Sequence, residues 1–141
     1  MIHYLDTSLL VAAYTAERNS ERLVVWLKGL AGIEIAISQW TRVEFSSALA
    51  IKVRTRQITP ALQMEAAARF LSSATGSFTE FPVVSEDFAT AANWCADHRS
   101  ALRAGDALHL AVARRNEATL CTLDKRLHVA GRRFSVRTAL I

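Results

Sequence analysis

Cysteine is scarce: the chain has two, Cys95 and Cys121, with neither CxxC spacing nor the number needed for a disulfide framework. They read as reduced core residues, one in a helix and one in a strand. Proline and glycine are also few, 2 and 5 in 141 residues, so no long linker and no disordered tract is expected. Long hydrophobic runs are missing too. Ile33–Ile37, itself broken by Glu34, is far shorter than a bilayer span, and Asp6 interrupts the apolar N-terminus before a signal-peptide core could form. A cytoplasmic location without membrane attachment is expected. Internal repeats and low-complexity segments are absent.

What is present is a composition of 51% hydrophobic and 21% charged residues, enough for one domain over residues 1–141 that buries a core without staples. The net charge of +4 comes largely from arginine-rich clusters, Lys52–Arg56, Arg114–Arg115, Lys125–Arg126 and Arg132–Arg133. Arginine suits bidentate contacts to phosphate, so a polyanionic partner fits the charge, although each cluster alone is also an ordinary solvated helix end.

Short apolar runs alternate with helical patterns. Met1–Leu5 reads as a strand ending at Asp6, followed by a helix from Thr7 and Ser8. Asn19 or Ser20 caps a second helix that Gly29 or Gly32 ends, with Trp26 in the core. Ile33–Ser38 reads as a second strand, leading into a long helix from Ser38 to about Arg56 that carries Glu44. Thr59-Pro60 opens another helix, Ala61 to about Ala74, which pairs with it as an αα-hairpin. Ser72–Thr79 reads as a loop, Phe81–Val84 as a third strand, and Ser85 to about His98 as a helix. A connection over Arg99–Gly105 leads to the helix behind Asp106. Ala118–Leu123 is a fourth strand ending at Asp124, followed by a short helix stopped by Gly131 and an edge strand near Phe134–Val136. Continuous apolar strands between helices predict a central parallel sheet of four to five strands covered on both faces, a three-layer α/β/α sandwich.

In such sheets ligands bind beyond the carboxyl ends of the strands, near the switch in strand order. Asp6 and Asp124 each close a strand, so both point over one edge and meet if those strands are neighbours. Asp106 begins the helix leading into the fourth strand, and Glu44 lies on the helix after the second. Four carboxylates converging at about 5 Å would repel by roughly 3 kcal/mol per pair at an effective dielectric near 20. A hard divalent cation, Mg2+ or Mn2+, relieves that repulsion, and beside a basic surface it suits phosphodiester hydrolysis.

Leu5-Asp6-Thr7-Ser8, Glu44 within Thr41–Glu44, Leu102–Ala111 around Asp106, and Thr122–Leu127 around Asp124 together resemble the PIN-domain family, in particular VapC-type toxins of bacterial toxin–antitoxin pairs. The resemblance spans nearly the whole chain, with Thr59–Glu80 matching only as generic helix and loop. It implies a parallel five-stranded α/β/α sandwich, a magnesium-dependent endoribonuclease, a VapB-type antitoxin partner and a homodimer. It also implies metal ligation by Asp6 and Asp106, with Asp124 in or beside the ligand set and Glu44 completing the acidic pocket. Thr7, Ser8 and Thr122 become candidates to orient ligands or water, and Arg103, Lys125 and Arg126 candidates to hold the RNA backbone.

Each residue also has a purely structural reading. Asp6 and Asp124 can be helix caps and Glu44 a partner of Arg42 or Arg54, while His109, one turn after Asp106, reads as a ligand or general base or, favoured by its flanks Leu108 and Leu110, as a packed core histidine. His3, His98 and His128 have no acidic or cysteine partner at metal spacing, and Trp40 and Trp94 read as core rather than base-stacking platforms. The functional alternative is a catalytically inactive PIN-like module that binds RNA or protein. A phosphotransferase with Asp at the end of its first strand would want a second Asp where Ser8 stands. A receiver domain would want adjacent acids in an early loop and a lysine after a later strand.

Overall fold

The apolar runs pair side by side in the computed structural model, which describes residues 1–141. The strands β1 (Ile2–Leu5), β2 (Glu34–Ser38), β3 (Thr79–Phe81), β4 (Thr119–Thr122) and β5 (Thr138–Leu140) form one sheet in the order β3-β2-β1-β4-β5. All four pairings are parallel. The helices are α1 (Thr7–Tyr14), α2 (Ser20–Lys28), α3 (Gln39–Arg54), α4 (Pro60–Gly76), α5 (Ser85–Ala96), α6 (Ala104–Arg115) and α7 (Lys125–Arg133). None is long and apolar enough to cross a membrane.

Strand side chains alternate between the two faces. Tyr4, Ala36 and Leu120 point to a core shared with Trp94, Leu108 and Leu127 of α5, α6 and α7. Leu5, Ile37 and Cys121 point the other way, to Leu9, Phe45 and Phe70 of α1, α3 and α4. Both faces are therefore covered, which gives the expected three layers with five strands in the middle one. Phe45 and Phe70 meet with ring centroids 4.3 Å apart, and Tyr14 stands edge-on to both, tying α1, α3 and α4 together.

Successive strands run outward from β1 through β2 to β3, and then the chain crosses back to place β4 on the other side of β1. The order thus reverses between β1 and β4, with Leu5 opposite Cys121. The residues that leave these two strands, Asp6 and Thr122–Asp124, emerge together at the crevice such a reversal creates.

Five boundaries differ from the sequence expectation. The segment Ser72–Gly76 continues α4 instead of forming a loop. Ser73 and Thr75 return their hydroxyls to the carbonyls of Arg69 and Leu71, and Ala74 extends the buried face of Phe70 by one turn. The third strand is Thr79–Phe81, ending where Pro82 has no N–H for the ladder, so Val83 and Val84 lie outside it. The last strand is Thr138–Leu140 rather than Phe134–Val136. Helix α7 runs on to Arg133, and Phe134 caps it and stacks on Trp94 at 4.8 Å. Gly131 accordingly does not stop that helix. It lies inside it, where a Cβ would collide with the Thr138 methyl and come within 3.2 Å of Leu110. Helix α5 ends at Ala96, followed by a 3-10 turn over His98–Ser100. Trp26 is only half-buried, beside His3, while Cys121 is fully buried and its thiol is pushed up to about 12 by burial.

Candidate active site

Asp6 follows β1 directly and its backbone N–H donates to the Cys121 carbonyl of β4, so the neighbouring strand holds the residue in place. Its carboxylate is 4% exposed and fully engaged. Oδ1 accepts from Ser8 Oγ at 2.6 Å and from the Leu9 N–H at 3.2 Å, and Oδ2 accepts from Thr122 Oγ1 at 2.6 Å. Asp6 is thus both the cap of α1 and a member of the acidic cavity. Ser8 and Thr122 are in turn fixed from the other side, Ser8 Oγ accepting from the Leu123 N–H and Thr122 Oγ1 from the Asp124 N–H. Burial raises the Asp6 carboxyl above its ordinary range, opposed by a protonated His109 and by the three donors just named.

Asp124 likewise keeps its structural role, its Oδ1 capping α7 through the Arg126 and Leu127 N–H groups at 2.7 and 3.2 Å. Asp106 is in the first turn of α6, where a carboxylate faces the positive end of the helix dipole. It is half-buried and no hydrogen bond offsets that burial. Burial raises its carboxyl, a protonated His109 lowers it, and the charges of Asp124, Glu44 and Asp6 raise it further.

Glu44 does not pair with Arg42 or Arg54. Arg42 turns outward to Glu80, and Glu44 Oε2 accepts from Thr7 Oγ1 at 2.7 Å and from His109 Nε2 at 2.5 Å. Burial alone would raise the Glu44 carboxyl, but the hydrogen bond and charge of His109, with the Thr7 hydroxyl, hold it below the ordinary range. Its other oxygen, Oε1, faces Gly105. A Cβ there would stand 2.6 Å from it, so a glycine here leaves Glu44 room to keep its position. The buried Trp40 indole N–H lies near Glu44 but short of hydrogen-bond geometry.

Asp6, Glu44, Asp106 and Asp124 line one open cavity of about 300 Å³ together with Thr7, Ser8 and His109. A second cavity of about 320 Å³ adjoins it, sharing Asp106 and Asp124 and carrying Arg103, Lys125 and Arg126. The carboxylates sequence reasoning singles out therefore share one space, with the three basic residues next door. They do not form the tight cluster it expects. No three His, Cys, Asp or Glu side chains are spaced to hold a metal ion as they stand. The reason is visible in their partners: three of the four carboxylates are held by caps, hydroxyls or His109. The donor set itself, oxygen-rich and with Asp106 free of hydrogen bonds, is of the chemical type a hard divalent cation takes.

His109 is the participant that sequence reasoning weighs as a ligand or general base and sets aside in favour of packing. It is 1% exposed, and both ring nitrogens have partners within the site or the core. The available signal is its position one turn after Asp106, which puts the two on the same helix face.

Residues 3–132 match the family model described as PIN domain. Among curated proteins, none matches the chain. Several solved structures share the fold. VapBC2 from Rickettsia felis, bound to a DNA fragment from its promoter, gives a TM-score of 0.74 at 18% identity, over 100% of this chain and 99% of the other. FitAcB from Neisseria gonorrhoeae gives 0.70 at 21%, over 98% and 96%. VapC20 from Mycobacterium tuberculosis, a sarcin-ricin loop cleaving toxin, gives 0.70 at 21%, over 92% and 95%.

Proposed function

Because the chain belongs to the PIN-domain family, we propose that it is a divalent-metal-dependent endoribonuclease and the toxin of a toxin–antitoxin pair. The observation that carries this reading is Asp106. It is a half-buried carboxylate without a hydrogen bond, raised by burial and by the charges of Asp124, Glu44 and Asp6 in one cavity. An arrangement that is electrostatically costly when empty is one that a cation relieves.

Asp6, Asp106 and Asp124 would hold Mg2+ or Mn2+. When bound, the ion supplies the Lewis acidity and charge compensation that phosphodiester hydrolysis draws on. Ser8, Thr122 and the Leu9 N–H fix the orientation of Asp6 at the cavity wall. Glu44, ionised and anchored through Oε2, presents Oε1 as the base that takes a proton from the attacking water. Arg103, Lys125 and Arg126 grip backbone phosphates in the adjoining cavity, so the strand crosses Asp106 and Asp124. A VapB-type antitoxin partner follows from the same reading, in keeping with the VapBC2 structure, and a homodimer belongs to the proposal as well.

Cleavage of RNA is measured with Mg2+, with EDTA and with Asp6→Ala. Metal-dependent cutting that the substitution abolishes is expected, and EDTA-insensitive cutting overturns the proposal. The open spacing of the carboxylates favours a second reading, a module that binds RNA or protein without cutting. In that case RNA binding persists with no cleavage under any divalent ion.

A further inference from the structure

Behind Glu44 a line of hydrogen bonds runs into the core. His109 Nε2 stands 2.5 Å from Glu44 Oε2, and its Nδ1 stands 2.8 Å from Tyr4 Oη. The phenol oxygen is in turn 2.7 Å from Ser38 Oγ and 3.3 Å from Thr41 Oγ1. Tyr4, Ser38 and Thr41 have no exposure at all. Ser38 and Thr41 have a role in starting α3, but the buried Tyr4–His109 pair costs desolvation that an aliphatic pair of the same volume would avoid, so core stability alone does not account for it.

The line also closes on itself. Ser38 and Thr41 form the capping box that starts α3, and α3 is the helix that carries Glu44. From Ser38 the connection passes along α3 to Glu44, across to His109 on α6, back to Tyr4 on β1, and so to Ser38 again. An ionised carboxylate only accepts, so the His109 nitrogen facing Glu44 must carry a hydrogen. The phenol hydroxyl both donates and accepts, and therefore satisfies Nδ1 in either protonation state of the ring.

We infer that His109 is a positioning residue for Glu44, its ring held from behind by Tyr4, so that one carboxylate oxygen stays bound and the side chain keeps a single orientation at the cavity wall. Without His109, Thr7 alone would hold Glu44, and a side chain with three rotatable bonds would spread over several rotamers. The geometric part stands by itself; the kinetic consequence rests on the nuclease reading.

The test uses the full-length protein, with 15N-labelled histidine, in two readouts. In the spectrum, a proton on His109 Nε2 is expected, its signal moving in Glu44→Gln and in Tyr4→Phe. In RNA cleavage, His109→Leu is expected to lower kcat by about 10–100-fold, the cost of misplacing a reacting group by about 1 Å. His109→Gln, which keeps an N–H donor toward Glu44, recovers most of that loss, and KM stays within about twofold. If His109→Leu does not fold, Tyr4→Phe takes its place, with a several-fold fall in kcat at unchanged KM expected and no fall overturning the inference. An Nε2 without a proton, a signal indifferent to Glu44→Gln, or a folded His109→Gln as impaired as His109→Leu also overturns it. If the wild-type protein cuts no RNA, the nuclease reading fails, and the spectrum alone decides whether His109 holds Glu44.

Discussion

Gly105→Ala adds one methyl group where α6 meets α3, and its consequences for stability and activity differ widely in size. The new Cβ would stand 2.6 Å from Glu44 Oε1, with Trp40 ring atoms at 3.4 and 3.5 Å. To reach an ordinary contact of 3.4 Å, the carboxylate has to retreat by about 0.8 Å. Glu44 is the flexible end of a side chain, so the backbone need not move. Its other oxygen is held by Thr7 and His109, and the retreat stretches or breaks those bonds. The loss of about 1 kcal/mol per hydrogen bond is met by a gain of about 0.5–1 kcal/mol from replacing glycine with alanine in a helix. Global stability should therefore fall by no more than about 1.5 kcal/mol even if both bonds break, while a displacement near 1 Å at the general base lowers kcat by about 10–100-fold. Paired measurements of thermal unfolding and of RNA cleavage by the folded variant separate the two effects. Cleavage at the wild-type rate, or a loss of activity wholly explained by unfolding, would refute the role given to Glu44.

Asp106→Asn should abolish cleavage and yet stabilise the metal-free protein. The folded-state carboxyl is raised, so its contribution to stability is present below the unfolded value near 3.8 and is lost as pH rises through the folded value. At neutral pH the ionised form carries a penalty that asparagine avoids, worth a rise in Tm of about 2–4 °C in EDTA per kcal/mol removed. For the same reason, Mg2+-dependent kcat/KM should fall on acidification before ordinary carboxylates titrate, because Asp6 and Asp106 must be ionised to hold a cation and both are raised. A profile flat down to the normal carboxylate range counts against this. Replacing Lys125 and Arg126 together by Gln should weaken RNA binding and flatten the dependence of log Kd on log salt by about 1.4, or about 0.7 per phosphate contact on single strands. Gly131→Ala should destabilise by about 1–3 kcal/mol through collision with Thr138 and Leu110, with cleavage per folded molecule unchanged.

The residues that close strands were legible because their placement follows from chain direction. Once β1 and β4 run parallel and side by side, Asp6 and Asp124 leave them at the same edge. The short-range partners were legible too, since caps join residues only two or three apart, as Asp6 does with Leu9 and Asp124 with Arg126. The partner of Glu44 was not. Arg42 and Arg54 lie near it in sequence, but the bonds it makes span 37 residues to Thr7 and 65 to His109, and no local pattern reports a contact between two helices packed on one sheet. A similar blindness explains Gly131, where the neighbour that excludes a Cβ is a strand arriving later in the chain, and Ser72–Gly76, where hydroxyls that suggest a loop bond back to their own helix. His109 combines both difficulties. Its apolar flanks correctly place it in the core, and burial is the property that makes its hydrogen bonds strong, so the pattern that marks it as packing also equips it to hold Glu44. A buried polar residue one helical turn from an acidic one is therefore better read as a candidate for positioning than as filler, and a variant series at residue 109 decides between the two.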